Sequence, residues 1–131
     1  MITEFLDKGR RLDIVNLSLS GPSFHTTGSN CDTETTTNIL MNNLFGTLRD
    51  GGVLSMASAG NTNESKMRRP ACLSNVFSVG ASDDQDNRAS FTNSEVGQTD
   101  VFAPGVDILA AAGMFAIFRA KMHDLYLWHT H

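Results

Sequence analysis

The sequence predicts an α/β domain built on a partial doubly wound, mostly parallel sheet. Three segments carry the prediction: a short apolar strand at residues 13–19, an amphipathic helix at 35–50, and a strand of small apolar residues at 53–59. Strand, helix and strand in that order make a right-handed crossover, and such crossovers build parallel sheets. A chain of 131 residues is one domain or part of one.

The elements follow in order. Ile2, Phe5 and Leu6 suggest the end of an amphipathic helix, stopped near Gly9. Ile14, Val15, Leu17 and Leu19 then read as a strand, closed by Ser20, Gly21 and Pro22. Residues 23–37 are rich in Ser, Thr, Gly and Asn without a period, so they form a long loop. In the helix, Leu40, Leu44 and Leu48 recur every four residues beside Met41 and Phe45, and Gly51 and Gly52 stop it. Residues 53–59 suit a strand covered on both faces. Further strands are predicted at 76–79, 101–103 and 106–110. Residues 113–131 hold the chain's only Tyr and Trp, and there Phe115, Phe118, Met122 and Leu125 fall on one side of a helix.

Composition excludes several classes of function. Hydrophobic residues make up 40% and charged residues 18%, as in a globular chain. The net charge of -4 argues against nucleic-acid binding, because phosphates attract basic patches. No apolar run is long enough to span a membrane, and the first residues lack the pattern of a signal peptide. No Gly-x-Gly-x-x-Gly is present. Gly60 to Lys66 lacks the second Gly and the Ser or Thr of a phosphate-binding loop, which leaves nucleotide binding a remote alternative.

The chemistry gathers where the strand at 53–59 ends. Ligands bind outside the carboxyl ends of strands in open α/β sheets. An Asn after Gly is commonly a plain turn residue, yet Asn61 also places two neutral N–H donors at that edge. A neutral donor on a rigid strand end is what stabilising a transition-state oxyanion requires.

Five segments in sequence order resemble the subtilisin-like serine endopeptidases. They are residues 13–21 (DIVNLSLSG), 57–61 (ASAGN), 70–81 (PACLSNVFSVGA), 88–93 (RASFTN) and 101–108 (VFAPGVDI). The resemblance implies a subtilisin-like sheet truncated at both ends, with a partial peptidase domain over 1–112 and a divergent tail over 113–131. It implies that Asn61 donates to the oxyanion. Ser18, Leu19 and Ser20 pair with an extended peptide substrate, with Ser20 narrowing the cleft where the family usually has Gly. Ser58, Ala59 and Gly60 form one wall of the specificity pocket; Pro70 and Ala71 begin the other, with a cis bond before Pro70. Cys31 and Cys72 resemble a bridged pair of secreted members, which places the parent in the secretory pathway or outside the cell.

The same resemblance shows what the 131 residues do not hold. The family's Asp and His precede the first matching segment, and its Ser lies in a Gly-Thr-Ser-Met-Ala motif absent here. A truncated or mis-spliced gene product is the expected explanation, and the chain is expected to be catalytically incomplete. His25 reads as a solvated loop residue, and His123, His129 and His131 as a frayed terminus without enough partners for a metal. Ser20, Ser23 and Ser90 lie outside any nucleophile-elbow pattern. The alternative reading is a non-catalytic peptide-binding or decoy domain. No cofactor is expected in this chain. Calcium belongs to loops of the full-length family, although the Ala71, Leu73 and Val76 carbonyls resemble a weaker cation position. Two glycosylation sequons occur: Asn63-Glu64-Ser65 on a turn, and Asn16-Leu17-Ser18, expected to be too buried for use. The sequence sets no oligomeric state, but an unpaired strand edge at 13–19 invites aggregation.

Overall fold

The structure, a computed structural model, describes residues 11–21, 30–112 and 116–120, with side chains up to residue 109. Four parallel strands stand in sequence order: β1 (Ile14–Leu17), β2 (Leu54–Ser58), β3 (Phe77–Ser82) and β4 (Val101–Pro104). Helix α1 (Thr36–Asp50) makes the crossover from β1 to β2. The predicted parallel α/β fold is therefore present, and each predicted strand is recovered within a few residues. The expected helix at residues 2–9 and most of the loop at 23–37 lie outside the described residues.

Thr35 caps α1: its side chain accepts the Asn38 N–H at 3.1 Å, satisfying one of the orphan donors of the first turn. The end is set by Gly51 at the cap and by Gly52, whose φ of 83° is open to glycine at little cost. The buried stripe is Asn38, Phe45 and Leu48, with Met41 half-buried beside them. Leu40 and Leu44, predicted to share it, are 65% and 50% exposed. The reason is helical geometry: they sit about a quarter turn from the Phe45 row, and the sheet takes only one row.

Register divides the sheet into two unlike faces. Ile14 pairs with Leu54, Met56 with Phe77, and Val79 with Val101, so their side chains share one face. Val15, Leu17, Ser55 and Ala57 point the other way, toward α1. There Phe45, Leu48, Val53, Ala57, Ala59, Met67, Leu73 and Val76 form the core. Gly80 lies beneath the Phe102 ring, which would meet a Cβ at 2.5 Å. Cover on both faces was expected for β2. Among the described residues α1 covers one, and Ile14, Leu54 and Val101 remain 57%, 45% and 39% exposed on the other. Asn16, expected to be buried, is exposed on that face for the same reason.

The Cys31–Cys72 disulfide is formed, with both residues buried. Around it, the Cys31 N–H donates to the Cys72 carbonyl at 2.9 Å, and Asp32 accepts from the Ser74 N–H and hydroxyl. Asn42 and Arg49 of α1 bond Asn75, so residues 72–75 are tied to both the helix and the loop before it.

Beyond β4, β5 (Ile108–Ala112) and β6 (Ala116–Ala120) form an antiparallel hairpin. This corrects the helix expected over the tail. Ile117 and Phe118 favour extended backbone, and close pairing with β5 supplies the hydrogen bonds that a helical period would otherwise claim. Phe115, Met122 and Leu125 lie outside the described residues.

Two outcomes follow. Reducing the disulfide, which spans 41 residues, should lower unfolding free energy by about 4 kcal/mol, read as a fall in the urea midpoint. Among the described residues β1 has one neighbour, so Ile14→Lys should reduce concentration-dependent light scattering of the native chain.

Candidate functional site

Parallel pairing sends β1 and β2 out of the sheet at the same edge. Leu17 lies opposite Ala57, so Ser18, Leu19 and Ser20 leave the sheet beside Ser58, Ala59 and Gly60. Ser18 and Leu19 are exposed and Ser20 is half-buried. The next residue fixes the path: the Gly21 N–H donates to the Arg69 carbonyl at 2.7 Å, and the Gly21 carbonyl accepts from Arg68 Nη1 at 3.3 Å. Residues 18–21 therefore run from β2 to the Arg69–Pro70 peptide, which is cis as expected.

The turn after β2 carries Asn61, which is half-buried and makes no hydrogen bond among the described residues. That turn is held from beneath by Asn93, a residue with no exposed surface. Its Oδ1 accepts from the Thr62 N–H at 2.9 Å, the Thr62 hydroxyl at 3.1 Å and the Glu64 N–H at 3.1 Å. Its backbone N–H donates to the Gly60 carbonyl at 2.8 Å, and the Phe91 carbonyl accepts from Asn63 at 2.8 Å. The residues on either side of Asn61, Gly60 and Thr62, are thus held in place by Asn93.

Glycine at position 60 is a requirement of this packing. Its φ is 112°, and a Cβ would stand 2.6 Å from Asn93 Nδ2. Sequence reasoning placed Asn93 in a matching segment without giving it a role. Its signal was legible only as an Asn, since the three acceptor bonds reach residues about thirty positions away.

The two predicted pocket walls differ in what they present. Ser58 points to the uncovered face, and its buried hydroxyl makes no hydrogen bond. Ala59 and Ala71 are almost wholly buried in the core, so their backbone rather than their methyl groups borders any groove. Pro70 is buried as well. Arg68 and Arg69 add positive charge beside residues 18–21, a feature that the sequence reading did not single out. Arg69 is turned toward α1, where Nη1 donates to Asn38 at 3.0 Å. No group of three His, Cys, Asp or Glu side chains able to hold a metal occurs among the described residues. No helix there is long and apolar enough to cross a membrane. His25, His123, His129 and His131 lie outside the described residues.

Replacing Gly60 should show how much the turn depends on this packing. Gly60→Ala is expected to destabilise by about 1–3 kcal/mol through forced positive φ and the Asn93 clash, measured by chemical denaturation.

Comparison with known proteins bears on the family and the fold. A family model described as the Subtilase family matches residues 2–126. A thermophilic serine proteinase from Bacillus sp. (strain AK1) is 38% identical over 98 residues, which cover 75% of this chain and 21% of that protein. Alkaline protease 1 of Emericella nidulans is 46% identical over 63 residues, 47% of this chain and 15% of that protein. The crystal structure of the subtilisin-like protease Apa1 from the Antarctic Pseudoalteromonas sp. AS-11 superimposes with a TM-score of 0.63 at 32% identity. It covers 83% of this chain and 22% of that one. The chain thus spans about a fifth of the length of the Bacillus relative. With a serine-protease sequence pattern on a parallel sheet of the same topology, the chain belongs to the subtilase family of serine peptidases.

Proposed function

We propose that this chain is the substrate-cleft portion of a subtilisin-like serine endopeptidase, able to bind extended peptide but not to cut it. The observation that carries the reading is the Asn61 amide, which is left without a partner at the sheet edge where residues 18–20 emerge. Asn61 is assigned the oxyanion-hole donor: it would hydrogen-bond a carbonyl oxygen as negative charge develops there. Ser18, Leu19 and Ser20 are assigned main-chain pairing with the substrate, and Ser58, Ala59, Gly60, Pro70 and Ala71 the walls of the specificity pocket.

Peptide hydrolysis needs a nucleophile, a base and a carboxylate that orients the base. The 131 residues contain no Gly-Thr-Ser, and their four His fall at 25, 123, 129 and 131, outside the family's order. Groove and donor act through hydrogen bonds alone, so the reading calls for no cofactor. The natural partner is a peptide or protein segment in extended form. The buried disulfide supports an oxidising, extracellular or secretory setting for the parent protein. A decoy that sequesters peptide shares the same groove and differs only in biological use.

Two measurements test the reading. A fluorophosphonate probe should leave the chain unlabelled, because no activated serine is present; labelling would overturn the inactive assignment. Titration of isotope-labelled chain with an uncharged, proline-free hexapeptide should shift the amide signals of Ser18, Ser20 and the Asn61 side chain. Ser20→Pro, which removes one N–H donor, should weaken that binding by about five- to tenfold. Shifts confined to the opposite end of the strands would refute the groove.

A further inference from the structure

We propose that Asn63 is an acceptor for N-linked glycosylation, which would set an oligosaccharide at the rim of the groove two residues beyond Asn61. The sequon Asn63-Glu64-Ser65 supplies the acceptor amide and the hydroxyl at the second residue after it. The structure adds how those two groups are presented. Asn63, Glu64 and Ser65 are all exposed. Their backbone is satisfied from inside: Asn63 N–H donates to Phe91, Glu64 N–H to Asn93 Oδ1, and the Glu64 carbonyl accepts from Ser94. With φ at 54°, Asn63 sits at the bend of this turn, its side chain clear of the core. Its Oδ1 accepts one long bond from Arg88 at 3.4 Å, while Nδ2 has no partner among the described residues, and neither has the Ser65 hydroxyl.

The second sequon is presented differently. Asn16 lies within β1, with its backbone paired to Met56, and its Nδ2 donates to the Ser18 hydroxyl at 3.4 Å. The acceptor amide and the hydroxyl of that sequon are therefore bonded to one another on a strand. A sugar there would stand on the uncovered apolar face beside Leu54 and Met56. At Asn63 it would stand in solvent on a turn that is already braced.

The chemistry balances with one co-reactant, an oligosaccharide linked through a diphosphate to a polyprenol lipid. Asn63 Nδ2 forms a bond to the sugar's C1 as the bond from C1 to the diphosphate oxygen breaks. The lipid diphosphate leaves with the electron pair of that bond, and one Nδ2 proton is lost to the transferase's base. No electrons are gained or lost overall. The donor and its transferase occupy the compartment in which the Cys31–Cys72 bridge also forms in eukaryotic cells.

The test is to direct the full 131-residue chain into the secretory pathway of yeast and treat it with peptide N-glycosidase. Both the secreted and the retained microsomal fractions are assayed, because glycan transfer precedes folding and a poorly secreted variant still reports. The expected result is a glycosidase-sensitive gel shift, with Asn63 converted to Asp in the treated peptide. The shift should be lost in Asn63→Gln and in Ser65→Ala, and kept in Asn16→Gln. No shift in either fraction would overturn the proposal. So would a shift that survives Asn63→Gln and disappears in Asn16→Gln. Neither result bears on peptide binding, so the groove stands or falls separately.

Discussion

The parallel pairing of β1 with β2 is the constraint on which the rest depends. Because Leu17 lies opposite Ala57, both strands end at one edge and both trailing segments must meet there. An antiparallel pair would have sent residues 18–20 and Asn61 to opposite ends of the sheet. The parallel arrangement needs a crossover, and α1 supplies it, capped by Thr35 and stopped at Gly51 and Gly52. A helix that covers Val15, Leu17 and Ala57 therefore also fixes where the segments after β1 and β2 leave the sheet.

Bringing two segments together is not enough to aim a side chain. The proposed donor role of Asn61 draws on the bracing of its neighbours. The Asn93 carbonyl oxygen accepts from Thr62 and Glu64, and its backbone N–H donates to Gly60, so the turn is braced on both sides of Asn61. Gly60 lets the brace approach closely enough to work. Burial strengthens the brace, since a carbonyl oxygen shut away from water would carry a penalty if any of these donors withdrew. The disulfide, Asp32 and Asn75 likewise hold residues 72–75 against α1 and the loop before it.

Sequence legibility follows the range of the interactions. Helix α1 was readable because caps and periodicity are local, and β1 and β2 because their apolar runs are short and bounded. Asn61 stood out through its place after Gly60 at a strand end. Asn93 did not, since its role exists only when residues about thirty positions apart meet. Leu40 and Leu44 misled for a related reason: the period was right, but which row faces the sheet is decided by Phe45 and Leu48 in three dimensions. In β6, extended pairing with β5 overrode a helical reading of Phe118. Asn16 was misjudged because strand membership was equated with burial, and among the described residues only one face of this sheet is covered.

The two faces of the sheet also differ in what covers them among the described residues. The turn after β2 is anchored by Asn93, and residues 72–75 are anchored by α1. On the opposite face, Ile14, Leu54 and Val101 stay in water, and burying apolar surface of that kind contributes roughly 25 cal/mol per Å². A polypeptide that covered this face would gain that stabilisation and would lie beside the carboxyl edge, where Ser58 leaves a buried hydroxyl unbonded. Under the proposed function, the edge where residues 18–20 emerge is held by β pairing, one helix and one buried Asn.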